Sequence, residues 1–402
     1  MAELLEGIRV LDLSDWVAGS YAGRLLADYG ADVIKVERPG GSATRREAPY
    51  AGDDPNIEKS TLFLHLNANK RGITLDFMTE RGAAIARDLA AKSDIVIEDY
   101  APGVLAEHGL DYATLSEGRD DLVMASITAF GQTGPWRDYR GSEITLQAMG
   151  GPMHSNGTQE REPIKSGGYV AHYHAGISAA LGAMLARYRV ESGGAGDHID
   201  LAVYETQAGF RDRRTPSTMA AAYTGFASKR QGGGQAIARG VRLASDGYVN
   251  LLGHSPRYWP AFLKLIGRDD LNERAESKLP APQMPQDFID EVEVSYQIYL
   301  IERTKQQVVI ETQAIGVLGG AIYTLEDLLT DPQYRGRGVW DEIDHPVAGK
   351  AEYAGRQLIL SETPREPVHP APLLGEGNEA IYENDLGLSH TEVEQLQTEG
   401  VI

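Results

Sequence analysis

The chain of 402 residues is 42% apolar and 24% charged, a composition that suits a folded globular protein of about two domains rather than a disordered or fibrous one. It has no cysteine, which excludes disulfides, thiolate metal sites and a cysteine nucleophile and leaves chemistry to oxygen and nitrogen groups. A formal net charge of −20 opposes nucleic acid and anionic membranes as partners, so an anionic ligand would need its own cluster of Arg, Lys and backbone N–H groups.

No apolar run is long enough to span a bilayer, and the start MAELLEGIRVLDL reads as a strand rather than a targeting segment, so a cytoplasmic protein is expected. Ile8–Leu13 suits a buried parallel strand, and Gly19–Tyr29 is helix-like, with Gly30 placed to end the helix. Asp32–Glu37 is a second strand, completing a strand–helix–strand unit of the doubly wound type. The alternation continues with a helix at 80–92, strands at 94–98 and 122–127, an Ala- and Leu-rich helix from about 173 to 189, and a strand at 199–203. The expected architecture is α/β: a Rossmann-like large domain over 1–210, a linker and Gly-rich loop over 211–240, a smaller α+β domain over 241–322, and a C-terminal segment over 323–402.

Several segments carry candidate chemistry. The turn after the first strand, Ser14–Gly19, has neither a dinucleotide fingerprint nor a Walker pattern, although a helix start there could receive an anion. Asn67-Ala-Asn-Lys-Arg71 reads equally as a phosphate grip and as a solvated loop capping a strand. Ala171-His-Tyr-His174 opens the long helix; histidines two apart face different sides and make a poor metal pair, so no metal is expected, and His172 is either structural or a base or ligand contact. Thr128–Pro135, punctuated by Gly131 and Gly134, follows a strand end, where backbone can approach a ligand closely.

Six stretches in order resemble the class III coenzyme A transferases of the formyl-CoA transferase and carnitine CoA-transferase type, also called the CaiB/BaiF family. They are Leu5–Asp12, Leu26–Gly40, Asn67–Arg71, Glu98–Gly103, Ala129–Pro135 and Ala371–Glu376. The resemblance implies two chains threaded as interlocked rings, with the C-terminal segment returning to the large domain. It also implies acyl-CoA as substrate, no tightly bound cofactor, and coenzyme A contacts from Val17, Ala18, Arg38, Lys70, Arg71, Asp99, Tyr100 and Pro102. Gly232, Gly233, Gly234 and Gln235 would form a loop that closes over labile intermediates.

In that family an aspartate attacks the thioester to give a mixed anhydride, and returning CoA then gives an aspartyl-CoA thioester. The aspartate stands four residues before a glycine, a position that Ala171-His172-Tyr-His-Ala-Gly176 fills with His172. Glu107 stands where the family often has a basic residue near the CoA phosphates. The expected function is a subunit of a heteromeric CoA-transferase whose partner chain keeps the aspartate. The alternatives are an active CoA-transferase, lyase or isomerase using His172 or Glu143, with a second copy of this chain as its partner in a homodimer; a racemase-like enzyme, disfavoured because its second acid/base segment reads Gly141-Ser-Glu143; and a non-catalytic binding protein.

Overall fold

The computed structural model describes residues 3–157, 160–209, 220–225, 237–255, 257–280, 283–363 and 365–402. Apolar runs fitted to burial on both faces form parallel strands: β1 (Arg9–Asp12), then helix α1 (Val17–Ala27), then β2 (Asp32–Glu37). Helix α2 (Thr61–Asn67), β3 (Arg71–Thr74), α3 (Glu80–Ala91), β4 (Ile95–Glu98), α4 (Tyr112–Leu115) and β5 (Val123–Thr128) follow. Then come α5 (Glu143–Met149), α6 (Val170–Glu191), β6 (Asp197–Ala202) and α7 (Val203–Gly209).

The sheet runs β3-β2-β1-β4-β5-β6, parallel throughout. This is the doubly wound order, which changes direction between β1 and β4. Alternate strand residues feed two cores. Leu11, Ile34, Ile73, Val96 and Met124 pack with Ile85 and Leu89 of α3 and with the C-terminal Tyr382, Val393 and Leu396. Val10, Val33, Ile95 and Val123 pack on the other face under α1 and α6, through Ala18, Ala22, Ala175 and Ala179. Small residues let those helices approach closely: a Cβ at Gly176 would lie 2.7 Å from the Ala18 carbonyl oxygen. That approach sets the start of α6 beside the start of α1.

By compactness the chain divides into Met1–Arg230 with Gly338–Ile402, and Gln231–Arg337. The second unit holds an antiparallel sheet, β7 (Arg239–Ala244), β8 (Gly247–Leu252) and β9 (Leu318–Ala321). Its helices are α8 (Trp259–Leu265), α9 (Gln286–Ile301), α10 (Lys305–Ala314), α11 (Leu325–Thr330) and α12 (Pro332–Gly336). Phe262, Phe288, Val292 and Tyr296 form its core. In the first unit, β10 (Trp340–His345) and β11 (Gly349–Ala354) make a hairpin, and α13 (His390–Thr398) closes the chain. The carboxyl end returns to the large sheet, where Tyr382 Oη donates to the Thr74 carbonyl and the Asp76 N–H to Val401.

Candidate functional site at the strand switch point

The connections leaving β1 and β4 run in opposite directions, which opens a crevice at the carboxyl ends of these strands. Asp99, just past β4, ties its two walls together. Its Oδ1 accepts from the Asp15 N–H at 2.6 Å and its Oδ2 from the Trp16 N–H at 3.0 Å. Burial pushes this carboxyl up to about 6, against the pull of those N–H donors and of Lys35. The turn so held leads into α1, whose N-terminus at Trp16 has no side-chain cap, leaving its first N–H groups and its dipole open to an anion.

Across the crevice α6 begins at Val170, which puts His172 in its first turn. Glu143, first residue of α5, supplies the cap that α6 lacks in its own sequence. Its Oε1 accepts from the Ala171 N–H at 2.8 Å and from Gln147 Nε2 at 2.6 Å. Its Oε2 lies 2.6 Å from Nδ1 of His172 and 3.4 Å from the His172 N–H. Burial opposes the Glu143 charge, but His172, the Ala171 N–H and Gln147 outweigh it and hold this carboxyl below its usual range. Nδ1 is then the donor and Nε2 the nitrogen left for a ligand. Trp16 and Tyr169 set their rings edge-on to the imidazole at 6.4 and 6.2 Å, fixing its plane.

His172, Trp16, Ala18, Asp99, Tyr100 and Pro102 line one cavity of about 570 Å³, with Arg137, Tyr139 and Arg140 on its outer side. The volume suits a cofactor-sized ligand. Arg140 has no ion pair among the described residues, while Arg137 makes only an exposed one with Asp138 at 3.4 Å. Sequence reasoning missed Trp16, Arg137 and Arg140. The signal for the two arginines was their place directly after the glycine turn at Gly131–Gly134, both of whose glycines have positive φ.

The other expected contacts are dispersed. Val17 is buried in the core. Arg38 is exposed at the end of β2 and near enough to Tyr100 to oppose the burial that raises the phenol. Lys70 is buried, its Nζ donating to Asp12 at 2.8 Å, the Ser20 carbonyl at 2.7 Å and Asn67 at 2.9 Å, and burial lowers it to about 8. Arg71 pairs with Asp32 and Asp385 at 2.7 and 3.1 Å. Glu107 is exposed on a short turn. Gly232, Gly233, Gly234 and Gln235 lie outside the described residues.

Residues 5–378 match the family described as CoA-transferase family III. Formyl-CoA:oxalate CoA-transferase of Streptomyces avermitilis is 31% identical to this chain, with all of both chains covered. Succinyl-CoA–D-citramalate CoA-transferase of Chloroflexus aurantiacus is 29% identical over 99% of this chain and 98% of its own. The crystal structure of a CaiB/BaiF family protein from Brucella suis superposes with a TM-score of 0.82 at 29% identity, covering 95% of this chain and 99% of that one.

Proposed function

This chain belongs to CoA-transferase family III, and from that premise we propose that it is a subunit of a heteromeric enzyme that moves coenzyme A between carboxylic acids, its own catalytic position being filled by His172. The observation that carries the proposal is the Glu143–His172 pair at 2.6 Å, whose imidazole lines the cavity. In this reading the imidazole stands where the family's aspartate attacks the thioester. An imidazole cannot form the mixed anhydride that makes transfer reversible; an acyl-imidazole would be open to water instead.

Coenzyme A would enter across the crevice. Its phosphates would meet the start of α1, Arg38, Arg137 and Arg140, and its pantetheine would pass Tyr100 and Pro102 towards Trp16 and His172. Lys70, Arg71 and Asp99 would support the site from behind through the internal bonds described above. The acyl groups would be those of carboxylic acids, the class of the oxalate and D-citramalate in the relatives' names. A partner chain has a surface to meet on α6, where Ile177, Leu181, Leu185 and Tyr188 are exposed at helical spacing. The interlocked arrangement of the two chains belongs to the same proposal, and a homodimer to the second reading below.

One observation favours a second reading, in which this chain is itself active. A carboxylate-oriented histidine with Nε2 free in a cavity is the arrangement of a general base. Glu143 would then be its positioning residue, since both carboxylate oxygens are engaged and the side chain does not line the cavity. The two readings separate on one experiment: CoA exchange between acids by the purified chain alone, by the chain with the partner it copurifies with, and by His172→Ala. Exchange that needs the partner and survives His172→Ala supports the silent subunit; exchange by the chain alone that is lost in His172→Ala supports the second reading.

A further inference from the structure

A second cavity, of about 180 Å³, opens beside the first and is lined by Glu98, Asp111, Tyr112, Ser126 and His198, with Arg137 bordering both. Parallel pairing sets Glu98 of β4 opposite Ser126 of β5 and Ser126 opposite Asp200, two residues beyond His198 on β6. Three side chains therefore stand in a row on one face of the sheet. Nε2 of His198 lies 2.9 Å from Ser126 Oγ, and Ser126 stands beside Glu98 across the paired strands, where its hydroxyl opposes the rise of the Glu98 carboxyl. Glu98 Oε2 accepts from the Tyr100 N–H at 2.8 Å, which ends the row in the loop that walls the first cavity. Tyr112 stacks on the His198 ring at 5.4 Å and 13°.

We propose that Glu98 is a positioning residue for the ligand cavity, holding the Tyr100 amide with a grip that tightens when the Glu98 carboxyl gives up its proton. With the proton on Glu98, the neutral acid is a weak acceptor for the Tyr100 N–H. When that proton leaves to solvent, the carboxylate binds the Tyr100 N–H as a charge-assisted acceptor, while Ser126 Oγ stays bonded to Nε2 of His198.

The surroundings place this proton loss near neutrality. Burial above all, with the neighbouring Asp99 and with Asp200 from β6, raises Glu98 to about 7 against the Ser126 hydroxyl and the Tyr100 N–H. Burial lowers His198, opposed by Asp200, Asp197 and Asp111. Arg137, from the loop after β5, is the cation bordering the same cavity. The link from Glu98 to ligand affinity rests on the CoA-ester reading of the first cavity; the link from Glu98 to the Tyr100 amide does not.

The test is hydrogen exchange of the peptide containing the Tyr100 amide, corrected for intrinsic pH dependence, from about pH 6 to about pH 8, in the whole protein without ligand. Wild type is expected to gain about fivefold in protection over that range, Glu98→Gln to show a flat profile, and Glu98→Asp to recover part of the rise. Ser126→Ala, which keeps the carboxyl but breaks the row, is expected to displace the profile and covers the case in which Glu98→Gln does not fold. A flat wild-type profile, or one that neither Glu98→Gln nor Ser126→Ala alters, overturns the proposal. A CoA titration at both pH values reads the consequence: affinity that follows the protection supports the full chain of inference. Protection that changes as expected without CoA binding at either pH supports the positioning role and overturns the CoA-ester reading.

Discussion

Glu143 Oε2 and His172 Nδ1, 29 residues apart in the chain, stand 2.6 Å apart at the start of α6. The same carboxylate accepts the Ala171 N–H, so one acidic group caps a 22-residue helix and fixes the tautomer of the histidine that faces the cavity. Structure and chemistry share that group. A carboxylate at a helix N-terminus is favourable, and a histidine held through Nδ1 presents Nε2 outward.

Replacing Glu143 with Gln keeps the shape but removes the charge and turns one acceptor into a donor that faces the Ala171 N–H or His172. About 1 to 3 kcal/mol of stability is expected to go, the cost of a buried hydrogen-bond partner left unmet. Thermal unfolding of the variant checks this; an unchanged midpoint would show that the capping network contributes nothing.

His172→Asp restores the carboxylate that the family mechanism uses. The variant is expected to exchange CoA between acids at least tenfold faster than the wild-type chain alone, measured in the absence of any partner. If it stays as slow as wild type, the position of His172 is not what silences the site.

Lys70 and Arg140 separate structural cations from ligand cations. Lys70→Met strips the buried Asp12 of one partner and is expected to cost about 3 to 5 kcal/mol, the penalty of breaking a buried pair. Arg140→Glu leaves unfolding unchanged within about 0.5 kcal/mol and weakens CoA binding at least tenfold, more strongly at low salt. The opposite assignment, stability lost at Arg140 and affinity alone lost at Lys70, would return Lys70 to the ligand.

Stability is expected to fall as pH rises through the range where Glu98 and Asp99 lose protons. Both folded values are raised, to about 7 and about 6, so the folded chain holds protons that the unfolded chain has released. The contribution is whole below the unfolded carboxylate range, near about 4, and is lost as pH climbs through the folded values. Urea midpoints between about pH 5 and about pH 8 should decline in wild type, and the decline should be shallower in Glu98→Gln by about 2 kcal/mol; a midpoint that rises over the same range would contradict the assignment.

How much of this was legible beforehand follows from which forces act locally. The strand at Asp32–Glu37 was bounded as it forms, and the other strands expected in the large sheet within a residue or two, because β-branched runs between turn signals report directly on a buried parallel sheet. The start of α6 was read three residues late, at Tyr173 rather than Val170. The missing signal is its cap, which comes from Glu143 on another helix and leaves no trace next to His172. Ala18, Tyr100 and Pro102 were legible only through the family resemblance, and His172 through its place at the family's aspartate position; all four line the cavity beside the switch point. The fate of Lys70 was not, since a charged pair in sequence carries no mark of whether Asp12 lies behind it or solvent in front. Arg71 likewise meets Asp385, 314 residues on, a pairing that only the returning C-terminal segment creates.

Native mass spectrometry of this protein, drawn from its own cell extract through a tag on this chain, decides whether it works as a silent subunit. The expected result is an assembly with a second CoA-transferase family III chain that carries an aspartate at the position matching His172. A homodimer that by itself moves CoA between acids, and stops doing so in His172→Ala, would contradict the claim and make His172 the catalytic group.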